Sequence, residues 1–227
     1  MTNLLKAELY KLKYSKELKM CIILVIALSI INTMFYGMPN GRSLFLGEFR
    51  EMSTLFISAL FSGMSIGGEF TKRTIYHPIT TGHSRSSVLI TKYISYSIGA
   101  LIILLSGFIF FDIMYSLFYG WGVSFSNSEI LFIVKYSVLS IIFNLCISSI
   151  SFLTSILIKD SGMSTAICVF IMGIIIAICQ MFWLNTAFNI SSGIIEIKEI
   201  FTGIGMLLIP IIVISIGNLL FKTIDIK

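Results

Sequence analysis

Charge is scarce in this chain. Of its 227 residues only 12% are Asp, Glu, Lys or Arg and 56% are hydrophobic, whereas a soluble domain carries about 25% charged residues. That stock cannot furnish the polar skin of a water-soluble globule. Histidine is scarcer still. The two present, His77 and His83, have no neighbouring cysteine and form no HExxH arrangement, which excludes the usual zinc sites. The four cysteines, Cys21, Cys146, Cys168 and Cys179, form no CxxC pair and all fall in apolar runs, so they read as reduced, small apolar side chains. No clustered His, Glu or Asp stands at metal or acid–base spacing, which argues against an intramembrane enzyme. A G-x-x-x-x-G-K-[ST] motif is missing too. GGEFTKRT has glycines followed by a lysine, but the spacing is wrong and no buried strand precedes it, so this chain does not cradle a nucleotide through a P-loop of its own.

What the chain has instead is long apolar runs. A bilayer-spanning helix needs roughly 20 mostly apolar residues, because all its backbone polar groups must be satisfied within the segment. Six candidates stand near Met20–Gly37, Met52–Gly67, Tyr93–Phe118, Ile130–Ile158, Ser164–Leu184 and Ile200–Phe221. The second is short, and the third and fourth are long enough to tilt. No run alternates as a strand does between turns, which argues against a β-barrel. The expected fold is all-α, with six transmembrane helices.

The basic residues orient it. With both termini on one side, that side receives twelve: Lys6, Lys11, Lys13, Lys16, Lys19, Lys72, Arg73, Arg85, Lys92, Lys159, Lys222 and Lys227. The opposite side receives Arg42, Arg50 and Lys198, and Lys135 falls inside a run. This bias places both termini and the 67–92 loop in the cytoplasm. The net charge of +5 is therefore topological. Basic residues spread over four separate segments make no nucleic-acid surface.

The first 19 residues are no cleavable signal peptide, since they mix Glu8 and Glu17 with their lysines and lead into a full-length span without a small-residue cleavage site. Leu5, Leu9 and Leu12 form a helical stripe flanked by Lys6 and Lys13 on one side and Glu8 on the other, as suits a helix lying on the inner membrane surface.

Between the second and third runs, GGEFTKRTIYHPITTGHSR (67–85) gathers charge, glycine and a proline. Glu69 and Arg73 stand four apart, so on one helix they pair. Pro78 pushes His77 out of helical geometry, while Thr80, Thr81 and Gly82 supply turn chemistry. Ser84 caps the next helix, with Arg85 and Lys92 marking the headgroup level. The expected outcome is a short helix across the cytoplasmic mouth.

Six spans, an amphipathic N-terminal helix, both ends inside and this loop together resemble the ATP-binding-cassette (ABC) type-2 permease family. The matching residues are Gly67, Glu69, Phe70, Arg73, Thr74, Ile75, Ile79, Thr80, Gly82, Ser84 and Arg85. The resemblance covers essentially the whole chain. It implies a single permease domain over 1–227, with an elbow helix at 1–19 and a coupling loop at 68–92. It also implies a multi-pass place in a bacterial cell membrane, a second permease copy or paralogue, and a separate cytoplasmic ATPase that binds ATP and Mg. Glu69 and Arg73 would then pin the coupling helix, Ile75, Tyr76 and His77 would face a groove on the ATPase, and Gly82 would turn the chain back. Compact permeases of this size look similar to those of immunity or resistance to peptide antibiotics, such as lantibiotics and bacitracin.

Within the runs, Ala59, Gly63 and Gly67 recur every four residues as a flat stripe for close helix packing. Pro210 is expected to kink the last span or free a carbonyl. Asn144, Gln180 and Asn218 read as interhelical hydrogen bonders. Asp112 and Lys135 stand at similar distances from the loop joining their helices and are expected to form an ion pair, because an unpaired charge at a helix centre costs about 2.5–3.5 kcal/mol; separate snorkelling and a proton-relay role are the alternatives. An ion-coupled carrier or channel without an ATPase is the competing class. It wants acids deep in the bilayer, and Asp112 is the sole and shallow candidate.

Overall fold

The computed structural model describes the backbone of residues 2–35, 40–45, 48–191 and 197–222. Side chains are described over the same ranges apart from 32–35, 43, 48–51, 179–191, 197–207 and 221–222. Among these residues there are helices and turns and no strand. The order is α1 (Thr2–Tyr14), α2 (Lys16–Phe35), α3 (Gly41–Phe45), α4 (Glu48–Ser62), α5 (Gly68–Thr71), α6 (His77–Thr80), α7 (Arg85–Gly107), α8 (Met114–Tyr119), α9 (Asn127–Ile158), α10 (Ser161–Ser191) and α11 (Ile197–Lys222). Where they are described, the six apolar runs lie on α2, α4, α7–α8, α9, α10 and α11.

Three of these helical stretches, Arg85–Tyr119, Asn127–Ile158 and Ser161–Ile178, are long and apolar enough to cross a membrane. Their most apolar windows are only 44%, 28% and 22% buried. Large side chains such as Leu117, Phe118, Val134, Phe170 and Ile174 stand open on them. Such a surface is compatible with a bilayer as solvent, since water tolerates contiguous apolar patches of this kind poorly.

Local chemistry sets the helix ends. Ser15 accepts from the Leu18 N–H at 3.2 Å, separating α1 from α2. Ser84 and Ser126, both extended, accept from Ser87 N and Glu129 N and so cap α7 and α9. The expected cap at Ser84 is in place. Lys159 ends α9 in the left-handed region, φ 58°, and Asp160 Oδ1 accepts from Met163 N at 2.9 Å to start α10 at once. The stretches Gly63–Gly67 and Phe108–Ile113 are π-helical, each wedging extra chain into an apolar helix.

α7 lies against α1, α2, α4, α9 and α11. Its Tyr96 is sandwiched between Phe61 and Phe152, with ring centroids 5.9 and 5.6 Å apart. The Tyr96 hydroxyl donates to the Ser148 carbonyl at 2.9 Å. A second cluster joins α4, α9 and α10 through Ala59, Ile147, Cys168 and Met172. α10 also packs on the Gly63–Gly67 turn. There a Cβ on Gly63 would meet the Thr165 backbone at 2.5 Å, and one on Gly67 would collide with the Ser164 hydroxyl. Ser164 in turn donates to the Gly63 carbonyl at 3.1 Å. Small residues thus let two helices approach closely.

Inside, the helices meet along hydroxyls. Ser58, Ser62, Ser140, Ser148, Ser151 and Ser155 are all buried, and Ser62 and Ser155 touch at 3.0 Å across α4 and α9. Asn144 donates to the Ser140 carbonyl at 2.8 Å within its own helix, not across helices as expected. Gln180's side chain lies outside the described residues. α11 runs through Pro210. Cys21, Cys146 and Cys168 are free and buried, and the Cys179 side chain lies outside the described residues.

Asp112 and Lys135 are not brought together. The π-turn buries Asp112, 4% exposed, while Lys135 projects from an exposed face of α9, so the expected ion pair is absent. The charge pair near that end of the bundle joins other residues. Arg42 Nε donates to Glu129 Oε1 at 2.8 Å, Trp121 Nε1 donates to the same oxygen at 3.2 Å, and the Arg42 guanidinium stacks 5.3 Å over Phe132. Phe45 packs on Trp121 and Tyr136 beside them. The backbones of Gly41 and Arg42 tie α3 to Gly120 and Trp121.

Candidate functional site

At the opposite end, the polar interruption 67–85 is built as a compact turn. α5 stops at Thr71, and Arg73 adopts φ 57°, ψ 12°, breaking the helix. Glu69 and Arg73 therefore do not share a continuous helix. Arg73 is exposed, and Glu69 finds other partners. The chain then makes a 3-10 turn over Thr74–Tyr76 and enters α6. His77 is helical, φ −54° and ψ −48°, contrary to the expected break before proline. Pro78 sits in the first turn of α6, where its missing N–H leaves no bond unmade. Gly82, φ 94°, ends α6 with its N–H on the Ile79 carbonyl, followed by His83 N on Pro78 O at 3.1 Å. A left-handed residue with paired carbonyls is the usual way for a helix to stop, and glycine adopts it without Cβ strain.

The turn has an inner and an outer face. Ile75 is 2% exposed and belongs to the main core. Tyr76 packs edge-on to Phe70 at 6.4 Å. Ile75 thus packs into the chain's own core. Arg73, His77, Thr80, Thr81 and Gly82 remain exposed at the tip. Thr71 Oγ1 accepts from Ser161 N at 2.9 Å, fastening the turn to the start of α10.

Four charges fasten it to the rest of the bundle. Lys92 Nζ lies 2.5 Å from Glu69 Oε2 and 2.6 Å from Glu8 Oε1, with its side chain only 6% exposed. Lys11 pairs with the other Glu69 oxygen. Lys92 is thus no headgroup marker; it is a buried cation between two carboxylates. α1 contributes Glu8 and Lys11 from the face that also buries Leu4 and Leu12, while Tyr10, Lys13 and Tyr14 point outward. Burial tends to lower the Lys11 pKa, but the Glu69 and Glu8 carboxylates outweigh it and leave the ammonium above its ordinary 10.5. A cavity of about 170 Å³ opens beside this cluster, between α1, the Gly63–Gly67 turn, α5 and α7.

Sequence reasoning missed three of these four residues. The signal was present. Glu8 and Lys11 share a helical face with Leu4 and Leu12, so charge lies on the face that packs inward. Chemically the cluster is a fastening between α1, α5 and α7. Among the described residues no group of three or more His, Cys, Asp or Glu is placed to hold a metal. No protein-family model matches the chain, and no curated protein matches it.

Proposed function

We propose that the chain is the membrane-spanning permease subunit of an ATP-driven exporter. It spans a bacterial cell membrane six times with both termini in the cytoplasm and works beside a second permease copy or paralogue. A separate ATPase binds ATP and Mg on the cytoplasmic face. The cargo is a peptide antibiotic, a bacteriocin or another amphipathic compound. The observation that carries this reading is the 67–85 turn. Its core face is buried through Ile75, its base is held by Glu8, Lys11, Glu69 and Lys92, and its tip is left open. A tip held this way moves only with the helices behind it, which is what transmission of a push from a partner requires. The resemblance of the same residues to the coupling loop of ABC type-2 permeases supports the ATPase as that partner.

The test is co-purification of the ATPase with the tagged chain, followed by substrate-stimulated ATP hydrolysis and transport in proteoliposomes. His77→Glu at the tip is expected to release the ATPase. Glu69→Gln at the base is expected to retain it but lose stimulation. Wild-type binding and coupling in both variants, or transport driven by an ion gradient without any ATPase, would overturn the reading.

A further inference from the structure

The cavity beside the charge cluster is too small for an amphipathic peptide. Drug-sized ligands occupy about 300–1,000 Å³, and this space is about 170 Å³. An apolar void of order 150 Å³ holds a benzene-sized guest, so the scale is that of one small polar group. Its lining carries three acids, Glu8, Glu17 and Glu69, and three bases, Lys11, Lys72 and Lys92. Signs therefore balance, and a guest with net charge would leave one charge uncompensated in a half-enclosed site. A guest carrying both signs leaves none.

Two of the six are uncommitted. Lys92, Glu8, Glu69 and Lys11 neutralise one another. Glu17, at the start of α2, and Lys72, just past α5, line the same cavity and have no ion-pair partner among the described residues. The walls between are apolar, from Phe61, Met64 and Ile66. On the membrane placement proposed above, the outer face of α1 lies in the headgroup layer beside the cavity. Tyr10 and Tyr14 are exposed with rings 4.8 Å apart, and Lys13 lies 5.7 Å from the Tyr14 ring. Aromatic and basic side chains together are what the headgroup layer accommodates.

From these features we infer that the cavity binds a zwitterionic phosphoamine, the phosphoethanolamine headgroup of a membrane phospholipid, with Lys72 serving the phosphate and Glu17 the ammonium. Phe61 and Met64 receive the carbon skeleton. The inference rests on the membrane placement proposed above and is independent of the ATPase.

The experiment uses the full chain, purified in a nonionic detergent without ATPase, and native mass spectrometry of its lipid adducts. Phosphatidylethanolamine and phosphatidylglycerol of identical acyl chains are offered in competition, alongside soluble glycerophosphoethanolamine. Phosphatidylethanolamine is expected to be retained in preference, and Glu17→Gln and Lys72→Gln each to weaken it about tenfold, the loss of one charge-assisted contact. Because neither side chain has an ion-pair partner among the described residues, both variants should unfold at the wild-type temperature when lipid-free. Displacement of the lipid by glycerophosphoethanolamine supports the site and shows that the headgroup suffices, so that a soluble phosphoamine is also a source. Equal retention of the two lipids, or wild-type retention in both variants, overturns the inference. Recovery of the chain in the membrane fraction of the same cells reports the placement separately, so failure of lipid selectivity and failure of that placement are read on different measurements.

Discussion

The two ends of the bundle are fastened by opposite means. At the α1 end, four charges from α1, α5 and α7 bind segments 58 and 84 residues apart in sequence, and a cavity remains beside them. At the α3 end the Arg42–Glu129 ion pair is closed over by Phe45, Trp121, Phe132 and Tyr136. Aromatic contacts contribute about 0.5–1.5 kcal/mol each beyond their burial, so there the rings hold and the charges orient. At the α1 end α5 and α6 have four residues each, and beyond Phe70 and Ile75, which reach the core, charge does the holding. A junction held by charge depends on each member, and one held by packing shares the load.

That contrast can be broken by substitution, with thermal unfolding of the purified chain as the measurement. Lys92→Met should have the largest effect, about 3–5 kcal/mol, because it strands the Glu8 and Glu69 carboxylates in a buried site. Adding Glu8→Gln and Glu69→Gln should recover much of the loss, and no recovery would deny that charge is the cause. Arg42→Ala comes next at about 1.5–3 kcal/mol. Glu129 keeps its Trp121 donor, and Arg42 is already 29% exposed. Lys11→Met should cost about 0.2–1 kcal/mol, since its side chain is 53% exposed. Because the folded Lys11 pKa is raised, its contribution is fully present below 10.5 and is lost only as pH climbs through the higher folded value. A titration from pH 7 to 10 should leave the Lys11→Met difference unchanged. Smallest of all, Lys135→Ala should stay within about 0.5 kcal/mol and add to Asp112→Asn without coupling. A measurable coupling would restore the pair that the structure separates.

Helix content and the placement of the apolar runs were legible because each run is long and almost uniformly apolar. The Ser84 cap was legible because its chemistry is local. The partners of Glu69 were not. An i, i+4 rule sees only the residue one turn away, and Arg73 is itself the left-handed break, which its side chain does not advertise. Lys92 looked like an interface lysine because its neighbours in sequence are a span's first turns. Its burial comes from α1 lying across it, a contact between residues 84 apart. Asp112 was assigned a depth by counting residues along an ideal helix, and the π-turn at Phe108–Ile113 alters that count.

The other π-turn, Gly63–Gly67, carries a consequence for how this chain tolerates changes in length. Each helical residue advances the azimuth by about 100°. Removing any one of these five would let the helix run on smoothly as α, with better hydrogen bonds, yet rotate everything after it by that angle. Glu69 would then turn off the side where Lys92 and Lys11 wait, and Gly67 would leave Ser164. A one-residue deletion in the neighbouring exposed Thr80–Gly82 tip would shift no such phase. The bulge thus acts as a reading-frame marker written in the backbone, intolerant of any change in number and, at Gly63 and Gly67, of any added side chain.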